Sequence, residues 1–218
     1  MTAAVLCGGR STRFGQPKDW LDFAGRPLLQ HVVHTVRPLF PRVLAVGLRP
    51  DSPPLPDDVP ALHDARPGAG PMGGMVAALH AAATEHTFFF ACDTPFIHPA
   101  LVRAMQNAAR DAQAVVPQSG PHFQPLFAIY HKSCLPIAEE QMAREHFKIS
   151  SMFPHITIRY FSEEEQRVHD PDLLSFFNIN TPDDYRRAAL LLQQGHAPPA
   201  HSPFSKTNSL FLNPYRLN

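Results

Sequence analysis

The sequence lacks an excess of charge of either sign. Its 218 residues include 19 lysines and arginines and 19 aspartates and glutamates, so the formal net charge is zero. General nucleic-acid binders carry a basic excess that neutralises phosphates. We therefore expect no nucleic-acid partner, and a specific small-molecule ligand fits better.

Long hydrophobic runs are also absent. The first apolar run ends at Gly8 and is preceded by no basic residue, which excludes the usual form of a secretory signal peptide. No later run reaches the roughly 18 apolar residues that a membrane span requires. We therefore expect no membrane partner and a cytoplasmic location.

Cysteine is scarce, and its spacing excludes the common cysteine frameworks. Cys7, Cys92 and Cys134 are an odd number and form no CxxC pair, so we expect reduced thiols rather than disulfides. The 13 histidines form no HExxH motif or Cys/His array. His31 and His34 share a predicted helical face, but without a third ligand this pattern favours a partly exposed helix surface.

Proline, in contrast, is abundant: 24 residues, roughly twice the average usage. Disorder is one explanation, but 44% hydrophobic and 17% charged residues favour a globular chain. We predict one domain over 1–195, with 196–218 as a tail to which we assign no role. The segment 50–60 is too rich in proline for regular structure and is predicted to lie at the surface.

Strand-like and helix-like segments alternate along the chain, which predicts a three-layer α/β/α sandwich with a mainly parallel, Rossmann-like sheet. The predicted strands are 2–7, 42–47, 87–91, 114–116, 126–130 and 156–161. The predicted helices are 28–39, 72–83, 99–110 and 182–193. Ligands of such sheets bind beyond the carboxyl ends of the strands.

A polar, glycine-bearing loop over 8–18 follows the first predicted strand. Its backbone N–H groups, together with Arg10, Arg13 and Lys18, suit a polyphosphate. The loop is not a Walker A motif, because Lys18 does not follow Gly15 directly, and it contains no GxGxxG. We predict an anion-binding loop of another type.

Four further polar side chains stand at predicted strand ends or in turns. Asp93 directly follows a buried strand; alone it fits an ordinary Asp-x-Pro turn, but beside a triphosphate its carboxylate implies Mg²⁺. Asp64 precedes a tight turn around Gly73, where small residues allow a base or ribose to approach the backbone. Asn178 and Asn180 lie on one side of a strand and are candidates for phosphate or metal contacts.

Five sequence segments, in this order, resemble the molybdenum cofactor guanylyltransferase family, within the nucleotidyltransferase superfamily. They are LCGGRSTRFGQPK at 6–18, GPMGG at 70–74, CDTP at 92–95, QPLFA at 124–128 and FNINTP at 177–182. The first segment is typical of the whole superfamily, and the last two favour the narrower assignment. The resemblance implies the fold of nucleotide-diphospho-sugar transferases.

The resemblance also implies roles for individual residues. Backbone contacts with the guanine nucleotide are expected from Leu6, Cys7 and Gly8, and Asp64 is expected beside the nucleoside. Lys18 is expected at the phosphates, and Asp93 is expected to bind Mg²⁺ and the nucleotide. The catalytic candidates are thus Lys18, Arg13 and Asp93, and the nucleotide-binding candidates are Leu6, Cys7, Gly8, Gly9, Lys18, Asp64, Gly73 and Asp93.

The implied substrates are GTP and molybdopterin, and the expected state is a monomer with transient contacts to other cofactor-biosynthesis proteins. The Gly8–Gly9 pair favours GTP over CTP, since relatives that use CTP more often carry alanine before a single glycine. Two residues depart from the family pattern: Cys7 replaces a usual alanine, and Val46 replaces a common asparagine. The open alternatives are a molybdopterin cytidylyltransferase, a sugar-1-phosphate nucleotidyltransferase and a catalytically silent GTP-binding module.

Overall fold

The computed structural model describes residues 1–8, 14–110 and 112–196 of the chain. The strands are β1 (Thr2–Leu6), β2 (Asp22–Phe23), β3 (Arg26–Pro27), β4 (Val43–Val46), β5 (Ala61–Leu62), β6 (His86–Ala91), β7 (Ala114–Ser119), β8 (His122–Phe123), β9 (Ala128–His131) and β10 (Ile158–Ser162). The α-helices are α1 (Leu28–Val36), α2 (Gly70–Ala81), α3 (Pro99–Ala108), α4 (Leu135–Ala143), α5 (Glu163–His169) and α6 (Pro182–Gln193).

The strands other than β2 and β3 form one central sheet, in the order β10-β7-β9-β6-β1-β4-β5, with β8 paired to β7. Strands β2 and β3 form a separate antiparallel pair. Pairs β1–β4, β1–β6, β4–β5 and β7–β10 are parallel, and β9 runs antiparallel to both of its neighbours. The sheet is therefore mainly parallel, and its ligand edge lies beyond β1, β4 and β6.

Both faces of the sheet are buried, which explains the continuous apolar strands. Along β6, Phe88 and Phe90 pack with α1 and α3, whereas Phe89 packs on the opposite face with α2 and α4. The same alternation places Val5 with the first cluster and Leu6 with the second. This is the expected pattern of a parallel strand covered by helices on both sides.

A third apolar cluster joins segments that are distant in sequence. Phe23 and Leu28 pack with Phe96, Ile179 and Ala188. This packing brings together the chain after the first loop, the turn that follows β6, and helix α6 with the segment before it. The backbone N–H of Ile179 also donates to the carbonyl oxygen of Asp93, at 2.9 Å.

The predicted fold class and the main alternation of strands and helices are confirmed, although several boundaries differ. The helix predicted to begin at Met72 begins at Gly70, because Gly70 and Pro71 occupy the first turn, where proline loses no helical hydrogen bond. Helices α4 and α5 have no counterpart in the sequence-based assignment. Among the described residues, no helix combines the length and apolar character that a membrane crossing needs.

Candidate functional site

A cavity of about 970 Å³ lies at the carboxyl ends of β1, β4 and β6. Its volume is at the upper end of the range typical of small-molecule sites. It is lined by Leu6, Cys7, Gly8, Val46, Gly47, Arg49, Asp64, Gly68, Gly70, Pro71, Gly74, Ala91, Cys92, Asp93, Thr94, Gln124, Pro125, Leu126, Phe127, Ser175, Phe176, Asn178 and Asn180.

Lys18 links two of the predicted site segments. Its Nζ donates to Asp93 Oδ2 at 3.1 Å and to Asn180 Oδ1 at 2.6 Å. These contacts join residues separated by 75 and 162 positions in the sequence. The structure therefore assembles an ammonium, a carboxylate and an amide at the cavity, a set that suits phosphate and a divalent cation together.

Asn180 is positioned by the start of α6. Its backbone N–H and that of Thr181 donate to Asp184 Oδ2, at 2.9 and 2.8 Å, and the Thr181 side chain caps the helix. Partial burial raises the pKa of Asp184, but these donors outweigh it, so that the net pKa lies below its ordinary value. The capping box of α6 thus holds the asparagine segment against the sheet edge.

Asp64 also lines the cavity. Its side chain lies beside the turn of α2, with Oδ1 3.3 Å from the position that a Cβ on Gly74 would occupy. Burial raises the pKa of Asp64, and nearby His63 partly offsets this. The predicted residue Gly73 is not among the lining residues, whereas its neighbour Gly74 is. The carbonyl oxygen of Gly73 accepts a hydrogen bond from the Ala65 N–H at 3.1 Å.

Most of the remaining predicted residues also lie at this cavity. Leu6, Cys7, Gly8, Asp93, Asn178 and Asn180 line it, and Asn178 donates through its side-chain amide to the carbonyl of Phe176, at 2.9 Å. Gly9 and Arg13 fall outside the described residues. The tail beyond residue 196 does as well.

The comparisons with known proteins agree with this arrangement. The family described as "MobA-like NTP transferase domain" matches residues 3–154. A probable molybdenum cofactor guanylyltransferase of Pelotomaculum thermopropionicum is 34% identical over 88% of this chain and 93% of its own. A molybdenum cofactor guanylyltransferase of Desulfosudis oleivorans is 31% identical over 89% of this chain and 97% of its own.

A solved structure gives the same assignment. The molybdopterin-guanine dinucleotide biosynthesis protein A of Archaeoglobus fulgidus superposes with a TM-score of 0.76 at 26% identity, over 89% of this chain and all of that chain. The chain belongs to the molybdenum cofactor guanylyltransferase family. A cytidylyltransferase of Thermus thermophilus, at 19% identity and a TM-score of 0.63, shares the fold.

Arg49 is a cavity residue of this guanylyltransferase family member that sequence reasoning missed. Its Nη2 donates to both carboxylate oxygens of Asp19, at 2.8 and 3.0 Å, and its Nε donates to Asp51. The hydrogen bond to Asp19 raises the pKa of Arg49. The buried Asp19 also accepts from Ser52. Arg49 and Asp19 are 30 residues apart, so no local sequence pattern predicts that they pair.

His31 corrects the expectation of a partly exposed helix surface. His34 is exposed, but His31 is only 8% exposed. Its ring contacts Phe23 edge-on, and its Nε2 lies 3.0 Å from the carbonyl oxygen of Pro95. Burial lowers the pKa of His31 to about 4, although the hydrogen bond to Pro95 opposes the shift. A neutral His31 therefore anchors the turn that carries Asp93.

This shift predicts a pH-dependent contribution to stability. The folded pKa of about 4 lies below the ordinary value of 6.5, so His31 stabilises the fold fully above pH 6.5 and less as the pH falls towards 4. We expect the loss of unfolding free energy between pH 6 and pH 5 to be about 1 kcal/mol smaller in His31→Gln than in the natural protein.

Urea denaturation at both pH values measures this difference. Replacing the exposed His122 with glutamine provides the matched control, and that variant is expected to follow the natural protein. An unchanged pH dependence in His31→Gln would show that a neutral, buried His31 is not the cause.

Proposed function

We propose that the chain transfers GMP from GTP to the terminal phosphate of molybdopterin, which releases pyrophosphate and forms the guanine dinucleotide cofactor. Family membership makes it a nucleotidyltransferase of molybdenum cofactor biosynthesis. The observation that carries the proposal is the contact of Lys18 with both Asp93 and Asn180 at the edge of a cavity of nucleotide size.

The cavity offers different surroundings to the two ends of GTP. The wall formed by Leu6, Gly8, Asp64 and Gly74 includes two glycines, which allow a base and ribose to approach the backbone. Lys18 provides a cation for the phosphates on the side of Asp93. We therefore assign the nucleoside to the wall with Asp64 and Gly74, and the triphosphate to the side with Lys18 and Asp93.

The reaction needs alignment more than proton transfer. An oxygen of the molybdopterin phosphate attacks the α-phosphorus of GTP, and the bond from that phosphorus to the bridging oxygen of pyrophosphate breaks. A phosphate monoester has a second pKa near roughly 6, so the attacking oxygen is already anionic at neutral pH. The chain's residues orient two polyanions and balance the charge that develops on the leaving group.

The donor atoms at Asp93 and Asn180 fit a magnesium ion. Mg²⁺ prefers hard oxygen ligands, and it usually takes one or two protein carboxylates and fills its remaining positions with phosphate oxygens and water. Asp93 would supply a carboxylate oxygen and Asn180 an amide oxygen. Both side chains accept a hydrogen bond from Lys18 Nζ, which places them close together. A bound ion would neutralise charge on the phosphates of GTP.

A matrix of nucleotides and acceptors tests the function. Pyrophosphate release is measured with GTP or CTP, each combined with molybdopterin or a sugar 1-phosphate, in the presence of Mg²⁺. We expect turnover with GTP and molybdopterin at least about tenfold above every other pair, which corresponds to about 1.4 kcal/mol in the barrier.

Three results would contradict the proposal. Faster turnover with CTP would indicate a cytidylyltransferase, and turnover with the sugar phosphate would indicate a sugar nucleotidyltransferase. Tight GTP binding without pyrophosphate release from any pair would indicate a silent binding module.

A further inference from the structure

Two cysteines stand side by side where adjacent strands reach the cavity. In the parallel pair β1–β6, Leu6 is the register partner of Ala91, and the next residues are Cys7 and Cys92. The Cys92 N–H donates to the Leu6 carbonyl oxygen at 3.0 Å, which extends the pairing by one residue. Cys7 and Cys92 are therefore direct neighbours across two strands.

The two side chains point to the same face of the sheet. Both belong to the apolar cluster formed with α1 and α3, where the Cys7 thiol donates to the Val5 carbonyl oxygen at 3.7 Å. Neighbouring strands lie about 4.8 Å apart, and a disulfide joins Cα atoms about 4.4–6.8 Å apart. The geometry thus permits a bond between the two sulfurs after a small movement. Cys134 packs in the cluster on the opposite face.

Both residues line the 970 Å³ cavity, although they are largely buried, with 5% exposure for Cys7 and 8% for Cys92. The cavity is therefore the side from which a small oxidant would approach them, and a bound nucleotide would cover that side.

We propose that Cys7 and Cys92 are a redox-sensitive dithiol, which hydrogen peroxide converts to a disulfide across the ends of β1 and β6, and that this bond blocks the nucleotide cavity. The effect on the cavity rests on the proposed function, whereas formation of the bond does not.

The chemistry balances with one peroxide for each pair of thiols. One sulfur attacks a peroxide oxygen and breaks the O–O bond, which gives a sulfenic acid and one water. The second sulfur attacks the first, breaks its S–O bond and releases another water. Two thiols are oxidised to one disulfide, and the peroxide is reduced to two waters that carry both thiol protons.

The bond ties together backbone that belongs to the site. An S–S bond of about 2.05 Å is much shorter than the contact distance of two thiols, so the side chains must rotate or the strand ends must shift for it to form. Cys7 leads directly into Gly8, and Cys92 leads into Asp93. Cys7 is also tied to the strand on its other side, because its N–H donates to the Val46 carbonyl oxygen at 2.7 Å.

The test uses the full chain, treated with hydrogen peroxide and then with a thiol-blocking reagent. Peptide mass mapping is expected to find Cys7 linked to Cys92, with an intact mass lower by about two hydrogens. GMP transfer should fall at least about tenfold and return after treatment with dithiothreitol. GTP with Mg²⁺ should slow the formation of the linked peptide.

Three variants serve as controls, and each is compared with its own reduced form. Cys134→Ala should form the linked peptide as the natural protein does, because its Sγ bonds the Gln113 carbonyl away from the cavity. In Cys7→Ala and Cys92→Ala, hydrogen peroxide should cause no loss of activity that dithiothreitol restores. Thermal denaturation confirms that each variant is folded.

The proposal is overturned if no Cys7–Cys92 peptide forms or if linkage to Cys134 predominates. It is also overturned if Cys7→Ala and the natural protein lose the same fraction of activity. If the reduced protein transfers no GMP, the proposed function fails, but the linked peptide and its protection by GTP still decide the dithiol proposal.

Discussion

Replacing Asp93 with asparagine is expected to lower kcat for GMP transfer by about 10²–10³-fold while the Kd of GTP changes less than about tenfold. Asparagine keeps the shape of the side chain and still accepts a hydrogen bond from Lys18, but it removes the negative charge that a cation at the site requires. Because the proposed cation and Lys18 would act on charge that develops during the reaction, the loss should appear in turnover more than in GTP affinity.

Pyrophosphate release and equilibrium GTP binding, measured on the same preparations, separate the two effects. Asp57→Asn is the matched control, since Asp57 is exposed and outside the cavity lining, and it should leave both quantities unchanged. Normal pyrophosphate release by Asp93→Asn or Asp93→Ala would show that the carboxylate does not serve the reaction.

Replacing Gly47 with alanine is expected to lower the free energy of unfolding by about 3–5 kcal/mol. Gly47 has a φ of +77°, and its Cβ would lie 2.1 Å from the Cys7 carbonyl oxygen and 3.1 Å from Asp64 Oδ1. The nearest atom is backbone at the end of β1, and Gly47 N–H is itself bonded to the Leu62 carbonyl. Neither Gly47 nor the end of β1 can move away without loss of hydrogen bonds between strands.

Gly120→Ala isolates the clash from the backbone strain. Gly120 also has a positive φ, of +56°, but no atom lies within 4 Å of its Cβ position. Its substitution should cost only the strain of the left-handed conformation, about 1–2 kcal/mol. Urea denaturation of both variants measures the difference. Equal losses of unfolding free energy in the two variants would mean that the clash of the added Cβ with the Cys7 carbonyl oxygen contributes nothing.

The sequence predicts the central strands well because their signal is local. β1, β4 and β6 each contain a continuous apolar run, and burial on both faces explains why these runs show no alternation. Helix α4 is not predicted from the sequence, because Pro136 is typical of a helix end. In the structure Pro136 lies in the first turn of α4, where proline is tolerated. Helix α5 carries a detectable signal, since Ser162 and Glu165 form a capping box.

The candidate site is predictable only in part. Asp93 follows from the end of the predicted strand 87–91, and Asp64 follows from the tight turn that it precedes. The contacts among them do not, since Lys18 meets Asn180 only after α6 packs against Phe23 and Phe96. The burial of His31 and the pairing of Arg49 with Asp19 likewise depend on segments that the fold brings together.

The reversed direction of β9 has a consequence for how such an enzyme diversifies. Because β9 runs antiparallel between β6 and β7, it begins at the edge where its neighbours end, so Gln124–Phe127 lines the cavity. The β8–β9 connection can therefore change in length and composition without altering β1, β4 or β6. Selection for a new acceptor can act on this wall while the strand ends assigned to GTP keep their sequence.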